Sequence, residues 1–187
     1  MTLTGAGTVH EAIVLARDTL IRVPPDATGR TEIVPALRKY VEQCSGLTIS
    51  LQKRNLNQAH TRGLILRYTD RATIVVGHEL NHCWRRFVIC KELMHLLVDV
   101  KPECFTTDPV AQLAKILMGD GVHGAHIESE AYAIVAALEF MLPKGHRPAN
   151  CKDATEALSI AERFKLPRMW VDFFYGTAYR LISSGVA

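Results

Sequence analysis

The chain has 187 residues, 48% of them hydrophobic and 22% charged, which suits one globular domain over 1–187 with a sizeable core. Its 22 basic and 19 acidic residues leave a formal charge of +3, and no long run of like charge calls for nucleic acid or an anionic membrane. The five cysteines, Cys44, Cys83, Cys90, Cys104 and Cys151, are odd in number and form no C-x-x-C pair, which argues against a disulfide framework or a thiolate zinc knuckle and fits reduced thiols in a cytoplasm.

Val9, Ala12, Ile13, Ala16 and Leu20 recur at helical spacing, and Pro24-Pro25, Asp26 and Gly29 then break the chain. No basic leader precedes that apolar face, and Arg17-Asp18 interrupt it, so no signal peptide is expected. No apolar stretch approaches the ~18–20 residues of a spanning helix. After Thr31, a reasonable cap, Ile33, Leu37, Tyr40 and Val41 mark a second helix that stops at Ser45-Gly46. LTISLQ (47–52), GLILRYT (63–69) and ATIVVG (72–77) are short β-branched runs between polar turns, and they predict a small three-stranded antiparallel sheet.

Helical patterning returns near Asn81, with Trp84, Phe87, Val88, Met94 and Val98 at helical offsets. A shorter helix is expected over about 109–118, and HIESEAYAIVAALEFML reads as helical until Pro143. Two more helices, about 153–164 and 168–183, are split by Lys165-Leu166-Pro167. Helices, a sheet, then helices again is a segregated order that indicates α+β rather than alternating α/β.

Two candidates for one motif lie in VVGHELNHCWRRFVICKELMHLL, residues 75–97. H-E-x-x-H works because residues four apart share a helix face, so two imidazoles grip one zinc while the glutamate between them acts as general base. HELNH, His78 to His82, matches the pattern to the letter, yet it follows the strand at 72–77 through Gly77 and falls at a strand-to-helix connection. KELMH, Lys91 to His95, lies in the helix interior and has Glu128 or Glu130 as a downstream carboxylate. Thirteen residues of helix separate His82 from His95, about 20 Å at 1.5 Å per residue, so the two motifs cannot build one mononuclear site. His123 and His126 form another possible pair, but they precede a helix in a Gly-containing stretch and read as loop histidines.

WRRFVICKELMHLL resembles the arginine-phenylalanine, apolar, H-E-L-G-H, apolar signature of the ImmA/IrrE family of zinc metallopeptidase-like proteins, with KELMH in the motif's place. ESEAYAIVAALEFMLP is similar to that family's E-A-N-x-F-A-A-x-L-L-M-P helix, and IAERFKLPRMWVDFFYGTAYRLI is similar to its closing helix pair. The resemblance spans most of residues 8–183. It implies a zincin-like, gluzincin-type α+β domain in which the sheet packs with a motif-bearing helix and C-terminal helices. It also places Glu92 at the general base, His95 at the second ligand and Glu130 at the third, with Glu128 as the alternative. Lys91 stands where the first histidine ligand belongs, and Tyr132 where the family has its asparagine.

A lysine ammonium carries three donors and no lone pair, and with a pKa near ~10.4 it is cationic at neutral pH, so it repels zinc. A cation would then replace a cation, neutralising Glu130 or Glu128 and Glu92. Two functional classes are compatible with these residues. One is a catalytically degenerate regulator, without a cofactor, that binds a protein partner such as a helix-turn-helix repressor. The other is a zinc endopeptidase that cleaves such a repressor, with Glu92 as base and His95 and Glu130 as ligands. By family association the protein is bacterial or from a mobile element.

The tail ATEALSIAERFKLPRMWVDFFYGTAYRLI also has the outline of a helix-turn-helix, with Arg163, Lys165, Arg168 and Arg180 as its charges. Its second helix offers Met169, Trp170, Val171, Phe173, Phe174 and Tyr175, which suit packing better than base reading.

Overall fold

A computed structural model describes residues 8–23, 33–56, 62–98 and 125–183. Among these, α1 (Val9–Arg22) and α2 (Ile33–Ser45) precede β1 (Thr48–Arg54), β2 (Gly63–Arg67) and β3 (Arg71–Gly77). The sheet is followed by α3 (His82–Val98), α4 (Ala125–Met141), α5 (Ala154–Phe164), α6 (Arg168–Tyr175) and α7 (Thr177–Ser183). The α+β class is as the sequence indicates. The expected helix at 109–118, Cys104, His123 and the Thr31 cap lie outside the described residues. No described helix is long and apolar enough to cross a membrane.

α1 starts where Thr8 accepts the Glu11 N–H at 3.2 Å, satisfying one of the four orphan donors of the first turn. It buries Ala12, Ile13 and Ala16 against α4. α2 buries Ile33, Leu37 and Val41, one every four residues, and Gly46, at φ +71°, lets the chain leave the helix.

The sheet corrects one expectation. Its order is β1-β3-β2, with β2 antiparallel to β3 but β1 parallel to it, so the sheet is mixed rather than wholly antiparallel. Burial explains the order. Ala72, Ile74, Val75 and Val76 of β3 can be covered on both faces, whereas Ser50, Gln52, Lys53 and Arg54 of β1 cannot. The apolar strand therefore takes the centre. The short Tyr68–Asp70 link closes β2 and β3 into the one hairpin, with the Tyr68 N–H on Arg71 O at 2.8 Å.

α3 is buried from Phe87 to Val98 on most sides and packs on α4, α2, β2 and β3. Residues of α1 through α7 share one apolar cluster, which includes Leu37, Ile74, Phe87, Leu93, Leu138, Phe164 and Tyr179. The expected single helix at 168–183 is broken. At Gly176 the backbone is extended (φ −73°, ψ 165°), and a Cβ there would sit 3.1 Å from the carbonyls of both Asp172 and Phe173. The break turns α7 back so that the Tyr179 hydroxyl donates to Glu139 Oε1 at 2.8 Å.

Candidate functional site

HELNH is not helical at its start. His78 to Asn81 form the turn after β3, and Asn81 caps α3 by accepting the Trp84 N–H at 3.0 Å. His78 and Glu79 are about half exposed and lie against each other, with Nδ1 3.4 Å from Oε2. His82 is exposed at the first helical position. The i,i+4 face that the zinc pattern requires is therefore absent at this match.

KELMH lies inside α3, where positions 88, 91 and 95 form one stripe facing β2 and α4. Glu130, one helical turn into the described part of α4, meets that stripe with both oxygens. Its Oε1 lies 2.5 Å from the Lys91 ammonium and its Oε2 2.7 Å from His95 Nε2. Lys91 Nζ also stands 3.0 Å from Glu92 Oε1, an ion-pair distance without hydrogen-bond alignment. The side chains of Lys91, Glu92 and His95 are 14%, 4% and 12% exposed, whereas Glu130 at 45% forms the solvent side.

The electrostatics follow from that enclosure. Burial alone would raise the Glu130 pKa, but the hydrogen bond with His95 and the charge of Lys91 outweigh it and bring the carboxyl down to about 2. Burial acts to lower the Lys91 pKa, and Glu92 with Glu130 overcomes this and pushes it up, so the ammonium stays charged at neutral pH. Lys91, Glu92, His95 and Glu130 thus come together as one cluster. Glu128 and His126 lie in the first turns of α4, and their side chains are outside the described residues.

This donor set does not fit a zinc ion. A zinc site takes at least three N, O or S lone pairs from the protein, and a charged lysine offers none while occupying both the space and the charge. Among the described residues, no three His, Cys, Asp or Glu side chains are grouped so as to hold a metal.

β2 closes one wall of the site. A Cβ at Gly63 would fall 2.2 Å from Val88 Cγ1 and 3.5 Å from Glu92 Oε1, so the missing side chain is what lets this strand approach the helix turn that bears the cluster. Next to it, the Arg62 guanidinium lies 3.5 Å over the Trp84 ring. Neither Gly63 nor this stack stands out by motif or spacing. A glycine opening a β-branched run was the available signal.

A second buried carboxylate was also missed. Glu139 is 3% exposed and is held by Arg147 Nη1 at 3.1 Å and the Tyr179 hydroxyl at 2.8 Å, with Arg17 at 3.9 Å. Burial and the adjacent Glu139 push the Tyr179 pKa up, so the phenol stays a donor. This network ties α1, α4, the stretch around Arg147 and α7 together on the far end of the helix that carries Glu130.

The tail packs inward. Trp170 stacks on Phe87 with centroids 4.8 Å apart and meets Trp84 and Phe173 edge-on, while Val171 and Phe174 are buried. Arg168, Met169 and Asp172 are the well-exposed residues of α6, and the aromatic side of that helix is turned to the core.

Residues 44–174 match the model of the family described as Peptidase_M78, IrrE N-terminal-like domain. No curated protein sequence matches the chain. Among solved structures, one that is similar is a Mycobacterium tuberculosis transcriptional regulator, at 13% identity and a TM-score of 0.49, covering 88% of this chain and 46% of that one. The chain therefore spans less than half of that protein's length.

Proposed function

Because this chain belongs to the IrrE N-terminal-like domain family, we propose that it is a regulatory protein whose metallopeptidase-type site is catalytically degenerate and serves to bind a protein partner. The observation that carries the reading is Lys91 Nζ at 2.5 Å from Glu130 Oε1 and 3.0 Å from Glu92 Oε1. The ammonium takes the place and the charge that a metal would have, and leaves both carboxylates paired rather than buried and unpaired, which would be costly. With Glu92 neutralised by Lys91, no group in the cluster is positioned to activate a water. The partner, a helix-turn-helix repressor by the family resemblance, would bind along the wall formed by β2 and the exposed side of Glu130.

A second reading keeps the enzyme, with Glu92 as base and His95 and Glu130 as zinc ligands. It is favoured by the retention of all three residues in one cluster.

Metal analysis of the purified chain and of Lys91→His separates the two. Substoichiometric zinc in the wild type, about one zinc per chain in the variant, and its loss again on adding Glu130→Gln support the degenerate site. Stoichiometric zinc in the wild type that disappears with Glu130→Gln overturns it in favour of the peptidase.

A further inference from the structure

The sheet has a second edge, on the side away from the lysine cluster. Among the described residues β1 pairs only with β3, and after Ile49 every residue to Arg54 is exposed. The Thr48 N–H donates to Asp70 O at 3.0 Å and the His78 N–H to Arg54 O at 2.9 Å, so the even-numbered residues of β1 turn their backbone groups toward β3. Alternation turns those of Ile49, Leu51 and Lys53 outward. The first is already used, since the Ile49 N–H donates to Glu42 Oε1 at 2.9 Å. No described strand covers Leu51 or Lys53, and the Leu51 side chain is 38% exposed.

Charge indicates what this edge would take. β1 itself carries Lys53 and Arg54 and no acidic residue. Lys53 and Arg54 are adjacent and so point to opposite faces of the strand at its open end. At the other end, Lys39 and Thr48 help line a groove of about 420 Å³ between α2 and β1 that extends the same edge. The Glu42 carboxylate on Ile49 is an internal precedent for an anion on this row of donors.

We propose that the outer edge of β1 docks an extended acidic segment of a protein partner as a fourth strand. Its backbone would pair with Leu51 and Lys53, and neighbouring carboxylates would fall on Lys53 and Arg54, one on each face. The main-chain pairing supplies affinity and the two cations select for acidic side chains. The site is distinct from the β2 wall, so it stands or falls separately from the function proposed above.

The test uses the full chain, ¹⁵N-labelled, titrated with a peptide of about ten alternating Thr and Val residues interrupted centrally by Glu-Glu. Saturable shifts of the Leu51 and Lys53 amides are expected, with those of Gly63 and Lys91 unmoved. Affinity should drop by about tenfold or more in Lys53→Glu/Arg54→Glu, whose exposed positions spare the fold, and should vanish when prolines replace the residues that would pair with β1. Equal binding by the charge-reversed variant, shifts centred on Gly63, or binding of a single-stranded oligonucleotide but not of the peptide would each overturn the proposal. So would no binding at all, which would leave the cations as guards against edge-to-edge aggregation.

Discussion

Glu130 bridges Lys91 and His95: its two oxygens lie 2.5 Å from Nζ and 2.7 Å from Nε2, joining residues four apart on α3 to a single position on α4. The carboxylate thereby staples two helices that the core already brings together, and it does so with a cation built into the chain.

Removing that cation exposes its contribution. Lys91→Met keeps the length of the side chain and leaves Glu92, 4% exposed, without a counter-charge. A loss of about 2 kcal/mol is expected, below the ~3–5 kcal/mol of a fully buried broken pair because Glu130 is 45% exposed. Urea unfolding of Lys91→Met, Glu130→Gln and the double variant measures it. Strict additivity of the two would show that the pair contributes nothing.

Acid stability follows from the same carboxylate. Glu130 is held at about 2, below its ordinary value near ~4.3, so the unfolded chain binds its proton first. Its contribution is fully present above that ordinary value and is lost as pH falls through about 2. Glu130→Gln should therefore flatten the fall in melting temperature over that window and change little at pH 7 beyond a constant offset. An unchanged acid limb in the variant would refute the assignment.

Gly63→Ala should destabilise by about 1–3 kcal/mol, because the new methyl meets Val88 Cγ1 at 2.2 Å. Val88→Ala should relieve most of that cost when combined with it, although Val88→Ala alone opens a cavity. Thermal melts of the three variants report the coupling, and independent effects would mean that β2 does not pack on α3 as described.

At the far end of α4, Tyr179→Phe removes one hydrogen bond to Glu139 and should cost about 1 kcal/mol. Glu139→Ala leaves the Arg147 guanidinium, bound at 3.1 Å, without its buried partner and should cost about 3–5 kcal/mol. Chemical denaturation ranks the two, and the reverse order would contradict the network.

Much of the fold was legible along the chain because its helices bury regular stripes. Leu37 and Val41, or Phe87, Met94 and Val98, announce their faces by spacing alone. The different settings of the two motif matches were legible for a similar reason: a strand ending at Gly77 leaves His78 and Glu79 off the helix, while KELMH falls among buried positions. The strand pattern shows that β1, β2 and β3 exist but not how they are ordered, because alternation within a strand carries no information about its neighbour. Gly176 alone does not announce a helix break, since a glycine is tolerated within a helix, and the Tyr179 bond to Glu139 that accompanies the turn is a contact between distant segments.

By itself the sequence determined the α+β class, the helix that carries Lys91, Glu92 and His95, and the chemical fact that an ammonium rather than an imidazole stands four residues before His95. Local rules suffice for those, because helical period, capping and side-chain protonation depend on near neighbours. Only the tertiary structure decided that Glu130 meets Lys91 and His95 together, that β1 lies parallel to β3 at an open edge, and that Glu139 collects partners from three other segments. Those contacts join residues far apart in the chain, and which distant groups meet is set by the shared burial of apolar faces rather than by any local pattern.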